Sequence, residues 1–484
     1  MKNLKKLMAL MLVAVSGMTF FIACTDDDDP APEKSSEKKV LVFRFDQINP
    51  VITATIDHNQ KTISAILPAG TNQSALTPYI EVSEKASVSP ASGSSVDFTG
   101  PVNFTVTAED GSTAVYVANI TQDAAGPEVL ENMMSANRTL SNRNLPIDYV
   151  VNDMLYLEGN ALLTVEPGVT IAFTGVNAGI VVGENAGLKM VGTEQKPIIL
   201  TGPVNNNNKG AWAGILFNSA RADNLMDYVR LVNAGTVSSE AAIYMNGNSV
   251  LRMTHSSITG SASNGIVMYD GTLPVFTNNS ISGCEEYPIW SGIVKGLSAI
   301  GSSNAMTNNN KPVIFVSFSD EVEENMTISN PGVPIRFNDD LYVYKELSLQ
   351  AGVVLEFEYG RLLLVKEAGI LNATGNAQNP VIFRGAVDEP GYWGGISIET
   401  NRNNRLEHCL VTGGGYDTYS MQTNLAIWYD GKLSLSNVKL MKSAGYGFLY
   451  SGNISLTHSA VSFDQCSKGN VYDYDNDVVY PNLP

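Results

Sequence analysis

Val165-Glu-Pro-Gly-Val-Thr-Ile-Ala-Phe173 is followed by Gly187-Leu-Lys-Met-Val-Gly-Thr193, Lys196-Pro-Ile-Ile-Leu-Thr-Gly202 and Trp212-Ala-Gly-Ile-Leu-Phe217. Each piece is a short apolar strand cut off by a glycine, proline or asparagine turn. Much of this stretch returns later in the chain. Gln195-Lys-Pro-Ile-Ile-Leu-Thr-Gly202 comes back as Gln378-Asn-Pro-Val-Ile-Phe-Arg-Gly385, and Trp212-Ala-Gly-Ile-Leu-Phe217 as Trp393-Gly-Gly-Ile-Ser-Ile398. The echo reaches outward to Asn137-Arg-Thr-Leu-Ser-Asn142, matched by Asn325-Met-Thr-Ile-Ser-Asn330, and to Cys284, matched by Cys466. The offset drifts only from 188 to about 182 residues, so both copies keep one internal plan. Short β-rich segments repeated at fixed spacing are the mark of a solenoid, in which each coil buries its apolar face against the next.

Leu162-Leu-Thr-Val165, Gly179-Ile-Val-Val182, Met226-Asp-Tyr-Val-Arg-Leu231 and Ala242-Ile-Tyr-Met245 continue the pattern, with no long amphipathic helix among them. Strands this short suit a coil of three narrow sheets whose inward residues stack along the axis. The phrase Val-x-Pro-Gly-Val-Thr-Ile-x-Phe, with its Pro-Ile-x-Leu-Thr-Gly and Trp-x-Gly-Ile sequels, resembles right-handed parallel β-helix proteins of the pectate-lyase type over roughly residues 137–475. The predicted fold is therefore all-β, with residues 130–310 as the first β-helix module and 311–484 as the second, closed by a C-terminal cap. Comparing the copies assigns parity: Met226/Leu406, Val229/Cys409 and Leu231/Val411 are apolar in both and predicted inward. Tyr228/His408 are then predicted outward, and the exchange of Tyr for His argues against a catalytic imidazole. Cys284, Cys466 and Cys409 (the last aligned with Val229) read as small buried core residues rather than a disulfide framework.

Residues 40–122 follow another plan. Val51-Ile-Thr-Ala-Thr-Ile56 and Thr62-Ile-Ser-Ala-Ile-Leu67 flank Asp57-His-Asn-Gln-Lys61 as a hairpin, and Val102–Thr107 and Ala114–Ile120 flank a second at Glu109-Asp-Gly-Ser112. Several short strands in so few residues predict a β-sandwich. The strings Pro68-Ala-Gly-Thr71, Leu76-Thr-Pro78, Val88-Ser-Pro90, Asp97-Phe-Thr99 and Val106-Thr-Ala-Glu-Asp-Gly111 resemble a bacterial Ig-like module of surface lipoproteins. That resemblance implies a spacer or a small adhesive platform.

At the N-terminus, Lys2, Lys5 and Lys6 precede an apolar run from Leu7 to Ile22 that is short for a membrane span, so residues 1–23 read as a cleaved signal. Phe21-Ile-Ala-Cys24 resembles a bacterial lipobox, with Phe where Leu is usual, and implies lipidation at Cys24. An ordinary secretory signal with an incidental cysteine is the alternative. Asp26-Asp-Asp-Asp29 resembles the export signal of Bacteroidota-type lipoproteins, which implies the outer face of the cell outer membrane, and residues 24–39 form an acidic tether. The net charge of −18 becomes −21 once the three lysines of the signal are removed. That balance disfavours nucleic acid as a partner.

Candidate chemistry is sparse. Neither the base-plus-cation set of a polysaccharide lyase nor the carboxylate pair of a glycoside hydrolase stands out. Asp339-Asp340 reads as a turn, Asp320-Glu-Val-Glu-Glu324 as a solvated loop between copies, and Lys439 and Lys442 as solvated lysines. No cofactor is expected, with Ca²⁺ the one ionic possibility: Asp473, Asp475 and Asp477 alternate as hard oxygen ligands, but without the glycine and glutamate of an EF-hand loop. An acidic cap over the open end of the solenoid is the competing reading. Aromatics carry more. Trp212 and Trp393 recur beside Gly-Ile and read as corner packing. Trp428, aligned with Tyr244, is predicted outward. Tyr416 and Tyr419 sit in a loop whose counterpart in the first copy has no aromatics. Tyr416, Tyr419 and Trp428 are thus the candidate sugar-stacking residues. The expected function is a lipid-anchored surface protein that binds a polysaccharide or glycoprotein without catalysis. The alternatives are a lyase or hydrolase on the β-helix and an adhesin for host or matrix protein. Oligomeric state is not readable from the sequence.

Overall fold

The computed structural model describes residues 33–68, 71–122, 126–203, 206–317, 320–417 and 422–484. Cys24 and Tyr419 lie outside the described residues. The chain divides into two compact units, a sandwich ending at Thr121 and a solenoid beginning at Gln122.

In the sandwich, Val40–Phe45 pairs antiparallel with Ile52–Thr53 and Tyr79–Val82 to form a three-stranded sheet. Five strands form the facing sheet, in the order Thr55–Asp57, Thr62–Leu67, Thr113–Gln122, Val102–Thr107 and Ser87–Ser89. Both predicted hairpins are present. The stretch read as one strand over residues 51–56 is two short ones, on different sheets. Alternation sends Phe43, Phe45 and Phe104 inward, where they meet Phe98 with centroids 5.2–6.3 Å apart, mostly edge to face. That arrangement sets positive ring edges against negative faces.

The solenoid is a right-handed parallel β-helix of about 13 turns. In the first copy each coil contributes one strand to each of three faces. Tyr149–Val151, Met154–Leu157 and Leu162–Val165 make one such coil, and Thr170–Phe173, Gly179–Val182 and Gly187–Val191 the next. One continuous apolar core runs from Leu130 to Val471, through the boundary between the copies. The repeating Trp-x-Gly-Ile has a steric basis. Gly214 and Gly395 hold φ of +98° and +101°, and a Cβ there would lie 2.5 Å from the Ala242 carbonyl and 2.3 Å from that of Thr423. Trp212 stacks on Phe173 at 3.9 Å and Trp393 on Phe357 at 4.9 Å. Their indole N–H groups donate to the carbonyls of Val232 and Thr412. Both tryptophans are fully buried, as corner packing requires.

Three expectations need correction. Met226 and Val229 are both buried although three residues apart, which simple alternation forbids. Tyr228 resolves the conflict: it takes a left-handed φ of 51° at a corner between two faces, and so resets the parity. His408, at φ 48°, does the same inside the ten-residue strand Asn403–Thr412. Both side chains are half-buried corner residues, and Tyr228 stacks on His255 at 4.6 Å. Secondly, Asp320–Val322 is not a loop but a strand, which pairs with Leu341–Val343 and buries Val322. Thirdly, Cys466 is only half-buried, near the open end of the solenoid, whereas Cys284 and Cys409 are buried and desolvation pushes their thiols up to about 12. The structure also shows that the two copies do not stack in phase. The face that holds Gly214–Phe217 runs through Ile289–Ser291 and Ile314–Val316 into Ile335–Phe337, Val354–Phe357 and Val381–Gly385. The counterpart of Gly214–Phe217, the strand Gly395–Glu399, lies on a different, eight-stranded sheet. The second copy is thus turned by one face of three. The shift occurs across a coil with a 3-10 turn at Val294–Leu297, packed between Thr272–Thr277 and Asp320–Val322.

Candidate functional site

The phase shift puts two chemistries on one face. Backbone register aligns the central outward position of each strand into a ladder along the solenoid. From the N-terminal end it reads Met133, Tyr156, Val181, Leu216, Tyr244, Val267, Trp290 and Phe315. An antiparallel or one-sided sheet would place polar residues here, whereas this ladder is apolar throughout the first copy. From Tyr156 onward the residues before and after each of these side chains are buried, as in Ile243-Tyr-Met245 and Ile314-Phe-Val316. Flanking rings widen the stripe. Tyr269 stacks beside Trp290 at 6.3 Å, and Tyr287 stacks on Phe315 at 4.6 Å with the Lys311 ammonium 4.9 Å from the Tyr287 ring. Towards the N-terminal end the stripe dips into a groove of about 360 Å³ between Met154, Val181, Leu216 and Tyr244, walled by Ser239 and Glu240. Burial raises the pKa of the Tyr244 and Tyr287 hydroxyls, so both rings present neutral phenols.

Beyond Phe315 the same ladder turns charged, continuing Arg336, Glu356, Arg384 and Thr412. Glu356 is 5% exposed, and each of its carboxylate oxygens is held by a different arginine. Arg336 Nε donates to Oε2 at 2.9 Å, while Arg384 donates Nε and Nη2 to Oε1 at 3.1 and 2.6 Å. Both carboxylate oxygens are thus committed to arginine N–H donors, and the row is a set of charge-assisted hydrogen bonds across three neighbouring strands.

The residues singled out from sequence fall into separate places. Tyr416 is half-buried against Tyr359, edge to face at 4.8 Å, and Tyr359 in turn meets Tyr392 at 5.6 Å. Trp428 meets Tyr474 at 5.5 Å. Tyr416 precedes the strand Thr423–Trp428 and Trp428 ends it, so the strand's length, roughly 17–20 Å, separates them. They do not form one patch. Asp473, Asp475 and Asp477 also diverge. Asp473 accepts from Tyr450 and Asn476, Asp475 from Ser451 and the Gly452 amide, and Asp477 from Tyr472. Among the described residues no three His, Cys, Asp or Glu side chains group to hold a metal ion. The stretch turns the chain back so that Val478–Tyr480 pairs antiparallel with Gly469–Asp473 along the edge of the last coil. Lys439 and Lys442 are both paired, with Asp464 and Asp388. Sequence reasoning missed the stripe. Its signal was present in the triplets of consecutive apolar residues with an aromatic at the centre, but the phase that lines them up is not local.

Residues 41–120 match the family model for the N-terminal domain of SGBP, the surface glycan-binding proteins. Residues 133–242 match a pectate-lyase like β-helix domain, and residues 201–345 a right handed β-helix region. No curated protein sequence matches the chain. Among solved structures, a candidate glycoside hydrolase from Bacteroides thetaiotaomicron VPI-5482 is similar at 28% identity, over 20% of this chain and 27% of its own, with a TM-score of 0.17. A candidate secreted protein from Bacteroides fragilis NCTC 9343 is similar at 26% identity, over 19% of this chain and 99% of its own, with a TM-score of 0.15. The chain thus spans about a quarter of the first of these, and overlaps so short bear on neither fold nor activity.

Proposed function

We propose that this is a surface glycan-binding protein that lays a polysaccharide along the aromatic stripe of its solenoid and does not cleave it. The observation that carries the reading is the apolar ladder from Tyr156 to Phe315, covered only at Val267, with Tyr269 and Tyr287 beside it. Sugar rings offer C–H groups to such faces while their hydroxyls stay wet. Three rings contributing about 1.5 kcal/mol each amount to a dissociation constant near millimolar for a short oligosaccharide. A polymer long enough to engage further coils binds more tightly. The match of residues 41–120 to SGBP N-terminal domains supports a surface role. In this reading Cys24 carries the lipid, residues 24–39 are the tether, and the sandwich is a spacer that holds the stripe above the outer membrane. Tyr416, Tyr419 and Trp428 are secondary contacts.

Affinity electrophoresis of the full chain in gels containing starch, β-glucan, xylan, mannan, polygalacturonate or alginate, with and without Ca²⁺, tests the proposal. Retardation by at least one polymer is expected, and Trp290→Ala should weaken it about tenfold. Shortening of any polymer over hours would establish an enzyme instead, and wild-type retardation in Trp290→Ala would remove the stripe from the site.

A further inference from the structure

The charged end of the ladder borders a cavity of about 390 Å³, lined by Glu356, Arg384, Asp388, Thr412 and Lys442. Its floor is the sheet itself, since Glu356, Arg384 and Thr412 are successive outward positions. Thr412 is 8% exposed, and its Oγ1 has no hydrogen-bond partner. A buried hydroxyl left unsatisfied is costly and calls for a polar group that can reach it. Arg384 turns Nε and Nη2 to Glu356, which leaves Nη1 without a partner among the described residues. At the rim, Lys442 Nζ meets Asp388 at 2.7 Å, but Asp388 is 72% exposed, so this ion pair is weak and readily opened.

We infer that this cavity is a second sugar subsite, and that it takes a neutral, hydroxyl-rich unit of the same polysaccharide chain that covers the aromatic stripe. The inference rests on the proposed glycan-binding role. The lining holds two cations and two carboxylates, so it carries no net charge to attract an ionised ligand. It does offer donors at Arg384 and Lys442, an acceptor at Asp388, and a hydroxyl at Thr412 that does both. Vicinal sugar hydroxyls, each a donor and an acceptor, match that alternation. The chain's net charge of −18 also works against polyanions. Among the described residues no aromatic ring lines the cavity, so it grips the edge of a sugar where the stripe grips the face. Four strand spacings, about 19 Å, separate Trp290 from Arg384 along the ladder. A polymer reaches both, and a disaccharide reaches only one.

The test is titration calorimetry of the full chain with the neutral polymer that retards it most, and with the disaccharide of that polymer, on the wild type and on Trp290→Ala, Thr412→Val and Lys442→Gln/Asp388→Asn. Thermal melts confirm that each variant is folded. Thr412→Val and the double variant should each weaken polymer binding about tenfold and leave disaccharide binding to the stripe unchanged, whereas Trp290→Ala should weaken both. Polymer affinity unchanged in both cavity variants would overturn the subsite while leaving the stripe intact. Loss in the cavity variants with Trp290→Ala inert would retain the cavity and overturn the stripe. Preference for polygalacturonate or alginate, abolished by salt and by Lys442→Gln/Asp388→Asn, would overturn the neutral ligand. No binding to any polymer would overturn both readings.

Discussion

Thr412 separates binding from stability at a single atom. Its γ-hydroxyl is buried and unpaired in the free protein, so Thr412→Val, which keeps the shape and removes the polar atom, should stabilise the folded chain by about 1 kcal/mol. A rise in melting temperature without ligand is the expected result, and a fall would mean that the hydroxyl already has a partner. Nothing in Leu410-Val-Thr412 announced this role, because the copy-to-copy comparison tracked inward residues and Thr412 points outward. Tyr228 and His408 teach the same lesson. Their neighbours' apolarity was legible, but a left-handed corner residue looks like any other until the backbone turns there.

At the scale of elements, the Gly in Trp-x-Gly-Ile is a backbone requirement repeated in each copy, since any side chain at Gly214 or Gly395 would enter the carbonyl of the next coil. The final turn is a second such device. Parallel coils end in unpaired edges, and the antiparallel return of Val478–Tyr480 covers the one presented by Gly469–Asp473. Asp473 anchors that return. Hydrogen bonds, first from the Asn476 side chain and then from the Tyr450 hydroxyl, outweigh desolvation and hold its carboxylate below the usual range. A depressed folded-state pKa contributes stability above the unfolded value, near 3.9, and loses it as the pH falls through the folded one. Asp473→Asn should therefore lower the melting temperature at pH 7, and the difference from wild type should shrink as the pH falls through the folded-state pKa of Asp473. A difference that persists in acid would assign the effect to packing. The alternation Asp473-Tyr-Asp-Asn-Asp477 was visible from the start as either cap or ion site. What decided the hydrogen bonding was the approach of Tyr450 and Ser451 from the preceding coil.

For the whole molecule, two compact units with separate cores predict two unfolding transitions in calorimetry. The glycan sites proposed here lie entirely in the solenoid. Saturating polysaccharide, at about 100 times its dissociation constant, should add about 2.7 kcal/mol to the solenoid transition and leave the sandwich transition in place. Movement of the sandwich transition instead would put the ligand on the N-terminal unit. The repeat boundary near residue 310 is not expected to appear as a third transition, because the core runs through it without a break.

Sequence alone determined the all-β fold, the sandwich and its two hairpins, the coiled repeat, the inward positions and the packing role of both tryptophans. These follow from local patterns: short apolar strands, turn residues at regular intervals, and a motif that recurs with its glycine in place. Tertiary structure alone decided that the copies stack one face out of phase. It thereby decided that an aromatic ladder from one copy runs into an Arg-Glu-Arg row from the other. Which outward side chains become neighbours depends on how much chain each connecting turn consumes and where left-handed corners fall. That is a property of coils stacked against one another, and no single strand encodes it.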